Sequence, residues 1–203
     1  MHRGGSEGTT VVRARREVLS TARRGFTLME MVTVMAMIGL MAAIIAPRLR
    51  VSSTQRVRAA AFQLQQDLDL VRNRALASRR AVRIVFDATN QGYDAYMAER
   101  GSTTFVESAA EQDSVGVLRH RALPDGVVFG RADAPELPGF AGSGAITLPD
   151  GRAEFDSRGM SHPFGTRGVI YMRHEDDPRA VVAVAVSAGA SIHVHVYDGA
   201  SWR

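Results

Sequence analysis

Four groups of residues in this 203-residue chain have types and spacings suited to chemistry. His193 and His195 form a His-x-His pair, which on an extended strand places both imidazoles on one face, a spacing that suits a metal ion. Ile192, Val194 and Val196 alternate with them and no third ligand is identifiable, so the pair reads as the polar side of an amphipathic strand and no metal is expected. Glu175-Asp176-Asp177 offers carboxylates to calcium but lacks a loop of regularly spaced oxygen ligands, and Asp-Asp-Pro178 reads as a turn. Arg72, Arg74, Arg79, Arg80 and Arg83 could meet phosphates, yet no aromatics are interleaved for stacking, and the tail Tyr197–Arg203 carries a single Arg. They read as the solvated face of a helix, bridging neighbours or an acidic domain, rather than as a nucleic-acid surface. The fourth group is one residue, Glu30, a carboxylate inside an apolar run.

No G-x-S-x-G, glycine-rich phosphate loop or paired Cys/His site occurs, and the chain has no cysteine. Neither an enzyme nor a cofactor is expected.

The run containing Glu30 is FTLMEMVTVMAMIGLMAAIIA, residues 26–46. As a helix its 21 residues would extend ~31 Å, close to the ~30 Å of a hydrocarbon core, and no polar stripe interrupts it. It is expected to span a membrane or to act as a signal. Three readings are open: a cleaved secretory signal with small residues at Ala42, Ala43 and Ala46; a twin-arginine signal at Arg23-Arg24; or a signal-anchor. The first two leave Glu30 unexplained. A carboxylate at mid-bilayer costs ~2.5–3.5 kcal/mol, so its presence marks a functional residue by default. Five Arg precede the segment closely (13, 15, 16, 23, 24) and four follow (48, 50, 56, 58), a weak lean to a cytoplasmic N-terminus; the long downstream region points the same way.

Gly25-Phe26-Thr27-Leu28-Met29-Glu30, followed by Val32-Thr33-Val34, Ala36, Ile38-Gly39, Ala42-Ala43-Ile44 and Pro47, resembles the processing motif of type IV prepilins and pseudopilins. The resemblance implies that a prepilin peptidase cuts after Gly25, that the new N-terminal Phe26 is N-methylated, and that Pro47 kinks the helix. It also implies a role for Glu30. The cut exposes an ammonium on Phe26 about one helical turn away, and in a filament the Glu of one subunit would neutralise the ammonium of the next inside an apolar core, where neither charge is tolerated alone.

These residues must be carried by larger elements. Beyond Pro47, Val57, Ala61, Leu64, Leu68, Val71 and Ala75 recur at helical spacing, with Gln63, Gln65, Gln66, Asp67 and Asp69 filling much of the remaining, polar surface. A helix from Phe26 to about Arg79 would be ~80 Å long. Strand-like segments follow at 81–87, 93–97, 145–148, 153–156, 169–173, 180–187 and 191–196. In the sixth of these, Val and Ala alternate at 182–186 and both faces look buried, as in a central strand. Residues 99–144 read as a loop-rich insertion. The expected organisation is a cleaved basic leader (1–25), a transmembrane helix (26–46), an amphipathic stem helix (47–80) and a β-rich head (81–203). The expected fold is α+β, the long helix packing on an antiparallel sheet.

Leu68–Val82, with Arg-x-x-Ala before the first strand, and Glu154-Phe155-Asp156-Ser157-Arg158-Gly159 resemble the pseudopilin H and FimT-type minor pilins. That resemblance implies a minor pseudopilin of a type II secretion system, or alternatively a FimT-like minor pilin of a type IV pilus with a link to DNA uptake. It implies as partners the peptidase, other pilins or pseudopilins and the inner membrane, with the head in the periplasm.

Charge sorts along the same boundaries. Residues 1–25 hold six Arg and two Glu, a net of +4, which equals that of the whole chain. Residues 26–83 sum to +6 and residues 84–203 to −6, so the rest is a basic stem with an acidic head.

Overall fold

The computed structural model describes residues 26–45, 52–102, 104–106 and 119–203. The chain divides into two compact units, residues 1–49 and 50–203. In the first, α1 runs over Leu28–Ile45. Its 18 residues rise ~27 Å. Among the described residues no helix is long and apolar enough to cross a membrane. The expected span of residues 26–46 also includes Ile44, Ile45 and Ala46, whose side chains lie outside the described set, as do the leader 1–25 and Pro47.

The second unit begins with α2, Ser53–Ser78. Its start is set by Ser52, whose extended backbone and side-chain oxygen cap the helix by accepting the Gln55 N–H at 3.3 Å. Neither Gly nor Pro interrupts the following 26 residues, and Arg79 ends them by turning left-handed at φ 53°. The expected stripe is the buried one: Val57, Ala61, Leu64, Leu68, Val71 and Ala75 are all inaccessible, with Ala60 beside them. Asp67, expected on the polar surface, is instead buried with them, for a reason given below.

α2 packs against two antiparallel sheets. The first has the order β3-β2-β1-β6, with β4 also pairing β2: β1 Val82–Asp87, β2 Gly92–Ala98, β3 Phe105–Val106, β4 Arg121–Ala122 and β6 Arg152–Phe155. The second has the order β5-β7-β8-β9: β5 Val127–Phe129, β7 Gly168–His174, β8 Val181–Val186 and β9 Ile192–Val196. The α+β architecture expected from sequence is therefore present, with its antiparallel strands divided between two sheets.

The β1–β2 hairpin is closed by Asp87, whose carboxylate accepts the N–H groups of Thr89 (2.8 Å) and Asn90 (3.0 Å). Val82, Ile84 and Phe86 then face the core, while Arg83 sits on the opposite surface opposite Tyr96 and Glu154. At the hairpin tip Gln91 joins the two sheets: its carbonyl accepts the Leu123 N–H (2.8 Å) and its side-chain oxygen accepts the Phe129 N–H of β5 (2.6 Å).

β8 is central and buried along its whole length. Val182, Val184 and Val186 join the main core under α2, and Ala183 and Ala185 lie on the other face with Val169, Tyr171 and Leu137. That outer cluster is sealed by the chain's own end. Trp202 packs on Tyr171 at 5.8 Å between ring centres and donates its indole N–H to the Pro135 carbonyl at 3.1 Å.

Two expectations need correcting. Residues 99–144 are not merely an insertion, since β3, β4 and β5 belong to both sheets. Strands of two or three residues carry no readable alternation; their partners on β2 and β7 define them. Conversely, the strand expected at 145–148 is reduced to a bridge between Ile146 and Ile170, ended by the 3-10 turn Pro149–Gly151.

Candidate assembly surface

Of the expected processing and assembly residues, Gly25 and Pro47 lie outside the described residues. Phe26 stands just before α1 and is 73% exposed. Thr27 caps the helix: its hydroxyl accepts the Glu30 N–H at 3.1 Å, and its carbonyl accepts the Met31 N–H at the same distance. Thr27-Leu28-Met29-Glu30 has the Thr-x-x-Glu form of a capping box, and the Glu30 carboxylate lies in the first turn, where the helix dipole favours an anion. Glu30 thus has a local use besides any intermolecular one.

Glu30 is the only charge in α1. Around it Leu28, Met29, Met31, Val32, Met35, Met37, Ile38, Leu40 and Met41 are exposed on all sides. Large apolar side chains distributed around an entire helix call for an apolar environment, lipid or other helices. The five methionines make that surface adaptable.

On α2 the surface opposite the core carries Phe62 and Leu70, 42% and 43% exposed, two turns apart. The Arg58 guanidinium lies 5.6 Å from the Phe62 ring centre. The sequence stripe assigned one apolar face to this helix; these two residues give it a partial second one. Their spacing of eight was the available signal.

The arginine run does not form a single surface. Arg72 Nε donates to the Gly159 carbonyl at 2.9 Å, tying the turn after β6 to the helix. Gly159 is required there: its φ is 70°, and a Cβ would stand 2.9 Å from Leu76 Cγ. Arg79 is the helix C-cap, and Arg80 Nε donates to the Ala98 carbonyl at 2.5 Å. Arg83 Nε reaches Glu154 Oε1 at 2.7 Å while its guanidinium lies 3.8 Å from the centre of the Phe105 ring. Arg74 is exposed on α2, as is Arg79 at its end.

His193 and His195 lie opposite Ala185 and Ala183, on the side of the second sheet away from α2. His195 has its pKa pulled down, first by burial and then by the neighbouring imidazole of His193, so it is neutral at physiological pH. Among the described residues no group of three or more His, Asp or Glu is placed to hold a metal ion. The Glu175–Asp177 segment is a turn: Asp177 accepts the Arg179 N–H (3.2 Å) and the Ser53 hydroxyl, which fastens the start of α2 to it. The Asp177 carboxyl is held below its ordinary pKa mainly by that hydroxyl.

A buried polar cluster gave no sequence signal. Tyr93 on β2 donates its hydroxyl to Asp67 at 2.6 Å, and Arg121 on β4 approaches the same carboxylate oxygen at 3.3 Å. This is why Asp67 is buried.

The family model for the type II transport protein GspH matches residues 60–189. Among solved structures, the type IV minor pilin FimU of Pseudomonas aeruginosa is 15% identical, with 72% of this chain and 92% of that one covered and a TM-score of 0.44. The minor pseudopilin EpsH of the Vibrio cholerae type II secretion system is 10% identical, covering 70% of this chain and 97% of that one at a TM-score of 0.47. No curated protein matches the chain by sequence.

Proposed function

The chain belongs to the family of type II transport protein GspH, and from that premise we propose that it is a minor pseudopilin, a structural subunit of a periplasmic pseudopilus in a type II secretion system. It acts mechanically: α1 supplies the polymerising surface, and the β-rich head selects neighbours among the other pseudopilins. Before assembly the apolar segment 26–46 holds the protein in the inner membrane, with the leader cytoplasmic and the head periplasmic. Prepilin peptidase removes residues 1–25 after Gly25, and Phe26 becomes the N-methylated mature terminus.

The observation that carries this reading is α1 itself. Its exposed surface is apolar all round, and its one charge sits in the first turn, four residues from Phe26. That arrangement suits a helix that enters a bundle of its own kind and must bring a charge partner with it.

The test co-expresses the chain with and without active peptidase and sequences the mature terminus. Methyl-Phe26 and loss of the leader are expected, and Gly25→Asp blocks both; an uncut chain beside active peptidase sinks the processing claim. Glu30→Gln keeps the size and helix-forming character of the side chain while removing its charge. It is expected to leave cleavage intact and to reduce incorporation into pseudopili at least tenfold; normal incorporation leaves Glu30 with capping alone. Deleting the gene is expected to impair protein secretion; loss of surface pili with normal secretion assigns the subunit to a type IV pilus instead.

A further inference from the structure

The outer face of the first sheet, the side away from α2, contains a cleft of about 470 Å³. Its floor is Glu154 of β6, a carboxylate with only 8% of its side chain exposed. One oxygen of Glu154 takes two guanidiniums by their Nε atoms, Arg83 at 2.7 Å and Arg152 at 3.0 Å. Arg152 is held further by Asp150 through Nη2 at 3.0 Å, and Arg83 is stacked on Phe105. Arg79, Arg80 and His162 line the same cleft.

This geometry pre-orients the two floor arginines. A guanidinium has five donors: engagement of Arg83 through Nε leaves its Nη edge for a second acceptor, while Arg152, with Nη2 on Asp150, has Nη1 to offer. The internal carboxylate and the aromatic wall fix both side chains, so a ligand carboxylate meets donors whose ordering cost is already met. We propose that the cleft is a binding site for an acidic peptide segment of a partner protein, its carboxylate accepting from Arg83 and Arg152 with Arg79 at the mouth. The site goes beyond the role of α1 and holds whichever filament the subunit joins.

Charge distribution favours a peptide over a nucleic acid. Glu99 and Asp156 also line the cleft, and residues 84–203 sum to −6, which repels an extended polyanion while leaving a local patch for one or two carboxylates. The Phe105 face that a base would stack on is occupied by Arg83.

Fluorescence anisotropy of labelled acetyl-Glu-Glu-Glu-Glu-amide with the full chain in neutral detergent tests this, with inorganic phosphate and a thymidine oligonucleotide as competitors. Saturable binding is expected, weakened at least tenfold by Arg83→Gln and by Arg79→Ala and unchanged by Arg179→Gln on the exposed β7–β8 turn. Glu154→Gln, which removes the charge that fixes both guanidiniums, is expected to weaken binding several-fold. Because Arg83→Gln and Glu154→Gln both disturb the buried pair, Arg79→Ala at an exposed residue provides the independent arm. Equal binding by the Arg79 and Glu154 variants, or no saturable binding at all, overturns the proposal. Stronger competition by the oligonucleotide than by unlabelled peptide makes the cleft a nucleic-acid site, and full displacement by millimolar phosphate makes it a simple anion site.

Discussion

Asp67 shows how much one helix position can depend on its neighbours. Its carboxylate is buried on the core side of α2 and accepts from the Tyr93 hydroxyl, with the Arg121 guanidinium alongside. Three segments are joined there: α2, β2 and β4. Tyr93→Phe removes a donor from a buried charge without changing shape, so unfolding free energy is expected to fall by about 1–3 kcal/mol in denaturant titration. The phenol also confers a pH dependence. Burial, and then the hydrogen bond and charge of Asp67, raise its pKa well above the ordinary 10.0. Above that ordinary value the unfolded chain releases the Tyr93 proton while the native state keeps it, so the unfolded state binds fewer protons and stability declines as pH rises. Tyr93→Phe is expected to flatten the loss of stability above pH about 10; an unchanged slope would place the alkaline sensitivity elsewhere. None of this was readable from the sequence, because a single Asp among Gln65, Gln66 and Asp69 looks like any solvated helix residue until β4 arrives from more than fifty positions away.

At the scale of elements, legibility followed length and local periodicity. The stripe Val57 to Ala75 was readable because about five helical turns repeat one pattern, and β8 because Val and Ala alternate without a polar residue. β3, β4 and β5 were not, since two or three residues give no period and their pairing is set by β2 and β7. The two faces of α2 make opposite predictions. Leu68 is wholly buried between the sheets, so Leu68→Ala is expected to cost about 2–5 kcal/mol in unfolding free energy. Phe62 and Leu70 face outward, so Phe62→Ser with Leu70→Ser is expected to change stability by no more than about 1 kcal/mol. In the proposed filament that pair lies where a neighbouring subunit packs, and the double variant is expected to reduce incorporation while its melting curve barely moves. A large stability loss would show that the outward face already serves the head.

For the whole molecule the decisive quantity is where the charge sits. The chain's pI near 10.3 suggests a cationic protein, yet the net +4 lies entirely in residues 1–25. What remains after the proposed cut has 19 Arg against 19 acids, divided as +6 in the stem region and −6 in the head. Such a chain has little net field to hold it to polyanions but strong local fields to orient contacts between copies or partners. Arg83 and Arg152 around Glu154 follow the same logic at short range, with opposite charges balanced inside one cleft. Processing should therefore be visible as an electrostatic event. Isoelectric focusing of the denatured precursor is expected to place it near its basic pI, and the mature form near neutrality, since all six removed cations are arginines that stay charged throughout the range. A mature band that remains strongly basic would mean that the cut falls upstream of Arg23 and Arg24, and that Phe26 does not become the N-terminus.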